Sequence, residues 1–377
     1  MSKVTFKTAE IQKRLSELGG VVSKKAAVPV YGLVQLYAKP GEQVCLTGTD
    51  LDATLTIQLK ESSADGDVNA LLDFKHFSNV MANWAHADGW FEFEEKQVLI
   101  RNGKRAKTVV LLRSEDGFRS SLAAEGEPVV LNLAALQEQI AKVSFAIAKE
   151  KGKYTANVAK LEGRTDKVTM VATDGYRLAM ATKPTPAPVG TFDMVLPDTA
   201  LEIIAKLGGE TISIYQSEVG FCFQTPLEFY TIQRVSGEFP KYEAVLPKTS
   251  KTTITVPKPS LEMVLKSVVP SADPDKPVIV FRVEEKGTTL VLEAAHVETG
   301  TEGTALRQMA EDAIEESVTV EGPAADFSLD ANLLAPFLAQ ATGSLKVYYK
   351  EATSPVDFRS GEDYRYIQMP TTPATRA

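Results

Sequence analysis

Cysteine is nearly absent from this chain: Cys45 and Cys222 are the whole complement of its 377 residues. Two thiols make neither a disulfide framework nor a zinc cage, which points to a reducing compartment. Histidine is as scarce, with only His76, His86 and His296. No HExxH, paired CxxC, G-x-S-x-G elbow or phosphate-binding glycine loop occurs, so no catalytic residue, metal site or cofactor site is expected. Long apolar runs are missing too; nowhere do the ~18 consecutive apolar residues of a membrane span occur. The opening MSKVTFKTAE has no apolar signal core. The expectation is a soluble cytoplasmic protein without a membrane partner. With 41 Lys and Arg against 49 Asp and Glu, the formal charge is −8. Such a balance excludes a surface that binds nucleic acid all over and confines any such contact to one face.

What is present is a repeat. Ile11, Leu15 and Leu18 have the i, i+4, i+7 spacing of an amphipathic helix, with Thr8 as candidate N-cap. The same stripe recurs about 125 residues on as Leu136, Ile140 and Val143, and again as Leu261, Leu265 and Val268 with Ser260 as candidate cap. Each unit carries a second helical pattern opening on aspartate: near Asp73 (Phe77, Val80, Met81, Trp84), Asp198 (Leu201, Ile204) and Asp330 (Leu333, Leu334, Phe337, Leu338). Pro336 should kink or shorten the last of these.

The stretches between the helices, such as VCLTGTDLDATLTIQL, KVTMVATDGYRLAM and SLKVYYKEA, alternate or are rich in β-branched residues, as strands are. The pattern resets at LAAEGEPV (122–129) and PKTSKTT (247–253), which read as linkers. The expected fold class is therefore α+β, in three tandem similar domains, 1–125, 126–250 and 251–377, each with two helices on antiparallel strands.

Val171 to Met180, VATDGYRLAM, reads as strand, turn and strand, because Asp-Gly suits a tight hairpin. Its counterpart LTGTDLDATL shares Thr49-Asp50, and a turn pair recurring with the fold accounts for that. Only the second copy goes on as Gly-Tyr-Arg-Leu, a set of side chains also suited to gripping a peptide. Asp50 and Asp52 could hold a divalent metal, but no third carboxylate lies nearby at ligand spacing, and a solvated turn accounts for them. Cys222, between Phe221 and Phe223, reads as a core thiol. Lysines are more suggestive. Lys24 and Lys25 follow the first helix, and Lys149, Lys151 and Lys153 with Tyr154 follow the third. Lys13, Lys142 and Lys266 lie on or beside the polar faces of the three equivalent helices. Each alone is an ordinary solvated lysine; repeated in register they could tile a surface that meets phosphates without reading sequence.

VATDGYRLAM, EFPKYEAVLP (238–247) and YIQMP (366–370), in this order on a threefold repeat, resemble the bacterial β sliding clamp, the processivity subunit of the replicative DNA polymerase III holoenzyme. The resemblance covers the whole chain. It implies a DNA clamp fold and a ring of two head-to-tail subunits, a homodimer, with helices lining a hole around double-stranded DNA. Its function would be to tether the polymerase catalytic subunit, the clamp loader, repair polymerases and other proteins that carry a clamp-binding motif, with no chemistry of its own. The resemblance also implies a pocket for a short apolar peptide, lined by Thr173, Gly175, Tyr176, Arg177, Leu178, Pro240, Val245, Met369 and Pro370, with Thr353 and Pro355 at its edge. Lys25, Lys149, Lys151, Lys153 and Tyr154 would meet DNA. Ala156, Glu243 and Ala244 depart from the family's usual leucine and arginines, and the chain runs on as TTPATRA. These departures motivate a second reading, a clamp-like paralogue serving repair or mobile-element replication. A third class, a nucleotide-processing enzyme using Asp50 and Asp52, rests on the metal reading alone.

Overall fold

The computed structural model describes residues 2–22, 29–103, 106–113, 118, 124–149, 157–235, 237–284, 287–299 and 305–371. Among these, six α-helices occur: α1 (Thr8–Leu18), α2 (Phe74–Ala82), α3 (Leu133–Val143), α4 (Asp198–Ile204), α5 (Lys258–Val268) and α6 (Ala331–Gln340). They fall two to a repeat, and all described strand pairs are antiparallel, so the α+β class holds. The apolar stripes are buried as the spacing requires: Ile11, Leu15 and Leu18 on α1, Leu136, Ile140 and Val143 on α3, and Leu261, Leu265 and Val268 on α5. Cys222 is buried in strand Gly220–Gln224.

The chain forms two compact units, residues 1–137 with 199–236, and residues 138–198 with 237–377. The second repeat is thus shared between them. The reason is strand pairing across repeats. In the first unit a 13-stranded sheet forms, in which strand Glu228–Gln233 of the second repeat pairs with Ala53–Leu59 of the first. In the second unit a nine-stranded sheet joins Arg177–Pro184 of the second repeat to Tyr364–Gln368 of the third, with Leu178 opposite Ile367. A separate four-stranded sheet completes that unit.

Each join is supported by side chains. In the first unit Arg14 of α1 is buried beside Glu228, with Nη1 2.9 Å from Oε1 and side chains 8% and 1% exposed. Glu17 takes the same nitrogen at 2.8 Å, and the Thr225 hydroxyl donates to the other oxygen of Glu228. Two buried charges hold only when paired in this way. In the second unit the Phe337 ring of α6 stacks on Tyr366 at 4.8 Å between centroids.

Helix starts differ from expectation. Thr8 is the first helical residue rather than the cap, and its hydroxyl donates to the His86 carbonyl at 2.6 Å. Ser260 is likewise inside α5, which begins at Lys258. The cap positions fall instead on the last strand residues, Lys7 and Pro257, neither of which makes a side-chain cap bond. Asp73 and Asp330 do cap, accepting from the His76 and Asn332 amides, whereas Asp198 is the first residue of α4. Asn132 caps α3 through the Ala135 amide at 2.8 Å. Trp84 falls beyond the end of α2. Pro336 does not end α6, which continues to Gln340.

The Thr-Asp turn is built twice. Thr49 and Thr173 hydroxyls donate to the Ala53 and Arg177 carbonyls at 2.8 and 2.7 Å. Asp50 Oδ1 accepts from the Asp52 and Ala53 amides, as Asp174 Oδ1 does from Tyr176 and Arg177. The Asp50 carboxylate is thus engaged as a turn residue, and the described residues include no cluster of three metal-ligating side chains. The third turn position has φ 89° at Gly175 but φ 91° at Leu51, where a side chain is strained. Replacing Leu51 by glycine relieves that strain at some cost in unfolded-state entropy, a net gain of ~0.5–1 kcal/mol. Leu51→Gly is expected to raise the thermal midpoint by a few degrees in a scanning calorimeter; a lower midpoint would contradict the strain assignment.

Candidate functional site

Strand Lys167–Thr173, the turn and strand Arg177–Pro184 form a hairpin whose second strand lies beside Tyr364–Gln368. Past that ladder the Met369 amide donates to the Tyr176 carbonyl at 2.9 Å, which keeps the two chains together to the tip of the turn. Loop 238–247 closes over the end of the hairpin with a short 3-10 turn at Tyr242–Ala244. Val171, Leu178, Tyr242 and Ile367 make a buried apolar floor, packed by Met180, Phe239 and Leu246.

Above this floor lies an open cleft of about 200 Å³. It is lined by Thr173, Gly175, Tyr176, Arg177, Leu178, Pro240, Lys241, Tyr242, Val245, Pro355, Ile367 and Met369. The apolar walls are those of a ligand-binding site. Tyr176 (69%), Val245 (53%) and Met369 (40%) are far more exposed than large apolar side chains need to be.

Nine of the eleven residues assigned to a pocket by resemblance line this cleft. Thr353 and Pro370 do not: Thr353 is exposed outside it, and Pro370 follows the last lining residue. Lys241, Tyr242 and Ile367 were not anticipated. Ile367 could have been, since it alternates with Tyr366 and faces Leu178 across the ladder.

Arg177 lines the cleft, and its polar atoms are taken up within the fold. Its Nε donates to Asp174 Oδ2 at 3.0 Å, Nη1 to the Leu333 carbonyl at 3.0 Å and Nη2 to the Phe145 carbonyl at 2.6 Å. The guanidinium also lies over the Phe145 ring, 5.3 Å from its centroid. The side chain is 12% exposed, so its stem walls the cleft while its head ties the hairpin to α6. Tyr366 donates to the same Leu333 carbonyl at 2.6 Å, and burial pushes its phenol above the usual tyrosine range.

Among the lysines assigned to DNA, Lys149 is exposed. Lys25, Lys151, Lys153 and Tyr154 lie outside the described residues, as do Lys24 and Ala156. Lys13 and Lys266 are exposed on α1 and α5. Lys142 is not a free cation: Nζ meets Glu138 at 2.8 Å and Asp363 at 3.6 Å and sits over the Tyr364 ring. No described helix is long and apolar enough to cross a membrane.

Solved structures share this fold over nearly the whole chain. The DNA polymerase III β subunit of Thermotoga maritima matches with a TM-score of 0.87 at 21% identity, over 99% of this chain and 100% of that one. The DNA polymerase sliding clamp of Bacillus subtilis matches with 0.87 at 17% identity, over the same shares. The fold is thus that of the DNA polymerase clamps. Residues 2–117 match the family profile described as DNA polymerase III beta subunit, N-terminal domain, and residues 130–241 the one described as its central domain. The Beta sliding clamp of Pseudomonas putida is 30% identical over 260 residues, 65% of this chain and 68% of that protein. That of Synechocystis is 21% identical over 398 aligned positions, 98% of each. The chain belongs to the bacterial β sliding clamp family. It is a DNA sliding clamp of replication, and the reading as a specialised paralogue is not favoured.

The bonding of Arg177 separates two kinds of cleft residue. Arg177→Ala takes its donor from the Phe145 carbonyl, while the Leu333 carbonyl keeps Tyr366, and should destabilise the second unit by ~1–3 kcal/mol, lowering the melting midpoint. Tyr176→Ala, at an exposed position, should leave that midpoint within a degree or so of the parent. Calorimetry of the two variants checks this, and equal midpoints would refute the anchoring role.

Proposed function

We propose that the chain closes head to tail with a second copy into a ring around double-stranded DNA, and that the cleft holds the proteins which work on that DNA. In this reading the three repeats, 1–125, 126–250 and 251–377, are three similar domains. The protein is a cytoplasmic tether without catalytic activity. Its partners are the polymerase catalytic subunit, the clamp loader, repair polymerases and other proteins presenting a short apolar motif.

The cleft carries the docking reading. It is apolar, open, and walled by segments from the second and third repeats, and its exposed large apolar members are a tyrosine, a valine and a methionine. Such groups attract an apolar peptide and are costly to leave in water. Thr173, Gly175, Leu178, Pro240 and Pro355 complete its walls, and Thr353 and Pro370 would serve a longer peptide at the rim.

Two sheet edges support ring closure. Strand Ala106–Arg113 pairs along one side with Gln97–Asn102, but on the other only Leu112 and Arg113 meet Val68–Asp73. Val109 and Leu111 are exposed there. Strand Ala305–Ile314 ends the four-stranded sheet, with Met309 exposed. Open edges of this kind invite pairing, and head-to-tail contacts close into a ring when the rotation allows. Exposed Lys149, with Lys25, Lys151, Lys153 and Tyr154, would supply sequence-blind phosphate contacts. A charge of −8 leaves such contacts local, so topology rather than affinity keeps the ring in place.

Two measurements test the proposal. In solution the mass should be twice the 40.9 kDa of the chain, and protein loaded on nicked circular DNA should be lost when the circle is linearised. Equal retention after linearisation would exclude an encircling ring. Separately, a fluorescent peptide of leucine and phenylalanine should bind the parent and be weakened at least ~30-fold by Val245→Glu, which puts a charge into an apolar site. Unchanged binding would remove the cleft from the docking role.

A further inference from the structure

The loop that closes the cleft, 238–247, contains one short 3-10 turn and no strand, yet it supplies Pro240, Lys241, Tyr242 and Val245 to the walls. Its shape depends on Tyr242. The Tyr242 amide donates to the Pro240 carbonyl at 2.7 Å, and the Val245 amide to the Tyr242 carbonyl at 3.0 Å. Wherever Tyr242 is held, the wall residues on either side of it are held as well.

Tyr242 is held from outside the cleft. Its hydroxyl donates to Glu162 Oε1 at 2.5 Å, in the middle of strand Val158–Arg164, and both residues are buried. The other oxygen of Glu162 faces Lys160 at 2.8 Å and Arg164 at 3.3 Å. Asp193 shares both cations, at 3.1 and 3.0 Å, so they have a second counterion and Oε1 is left to the phenol. The far end of the loop is tied separately: Arg365 Nη2 donates to the Pro247 carbonyl at 3.0 Å, and buried Asp357 fixes that arginine.

We infer that Glu162 is a positioning residue for partner binding: through the Tyr242 hydroxyl it sets the wall of the cleft without touching the peptide. The inference rests on the docking reading above. Glu162 does not line the cleft, and its strand is separated from the one bearing Arg177 by strand Lys167–Thr173. A hydrogen bond to a carboxylate is among the stronger ones a phenol can make, and losing it frees the loop to sample other positions.

The test uses the full-length protein and the same leucine–phenylalanine peptide. Tyr242→Phe, which removes only the hydroxyl, should weaken binding by roughly tenfold, mostly through faster dissociation. Glu162→Ala should match it, Glu162→Gln, which keeps an acceptor, should recover most of the affinity, and the double variant Tyr242→Phe/Glu162→Ala should be no weaker than the weaker single one. In the free protein, hydrogen exchange should quicken at the Ala244 and Val245 amides but not in the strands; a merely structural role would quicken both. If Tyr242→Phe binds within twofold of the parent while Val245→Glu abolishes binding, the cleft reading stands and the positioning role is overturned. If the parent itself fails to bind the peptide, the cleft reading fails and the inference falls with it.

Discussion

The structure depends on strands that pair across the boundary between one repeat and the next. A repeat that buried all its edges within itself would need nothing from its neighbours. Here Glu228–Gln233 finishes its ladder on Ala53–Leu59, and Arg177–Pro184 finishes on Tyr364–Gln368. Each join brings a surface of one repeat against a segment about 180 residues away in sequence. The cleft is a product of the second join. Its floor is completed only when Ile367 arrives opposite Leu178, and its rim when Met369 bonds the turn.

The two joins are finished differently. In the first unit a buried Arg14–Glu228 pair fills the space behind the shared sheet, and the Thr-Asp turn carries Leu51 and Ala53. In the second the corresponding turn carries Gly175 and Arg177, and the arginine reaches helix α6. One turn geometry, held by the same threonine and aspartate bonds, thus serves as plain connection in one place and as a wall of the cleft in the other.

Much of this was legible in the sequence because it follows from local period and local chemistry. The stripes at Leu15, Ile140 and Leu265 bury the same faces, and Asp73 and Asp330 cap as their position suggested. Most of the cleft was legible too, through motifs at Thr173, Pro240 and Met369. What was not legible depends on distant partners. Thr8 and Ser260 look like caps until each is seen to lie inside its helix, α1 beginning at Thr8 and α5 at Lys258. The role of Arg177 is set by carbonyls 32 and 156 residues away, which no window of sequence brings together. Glu162 and Tyr242, 80 residues apart, escape for the same reason.

Pro336 adds a last consequence. A proline inside α6 has no amide to offer the carbonyl of Asn332, and the next carbonyl along, Leu333, accepts from donors outside the helix. Leu333 takes Arg177 and Tyr366 there, while the Asp330 carbonyl takes Gln368. The helix is therefore a rack on which the hairpin and the last strand are both hung, by main-chain atoms that any residue would present. These bonds ask of α6 only the course of its backbone, while the packing behind them asks for particular side chains, the buried Leu334, Phe337 and Leu338.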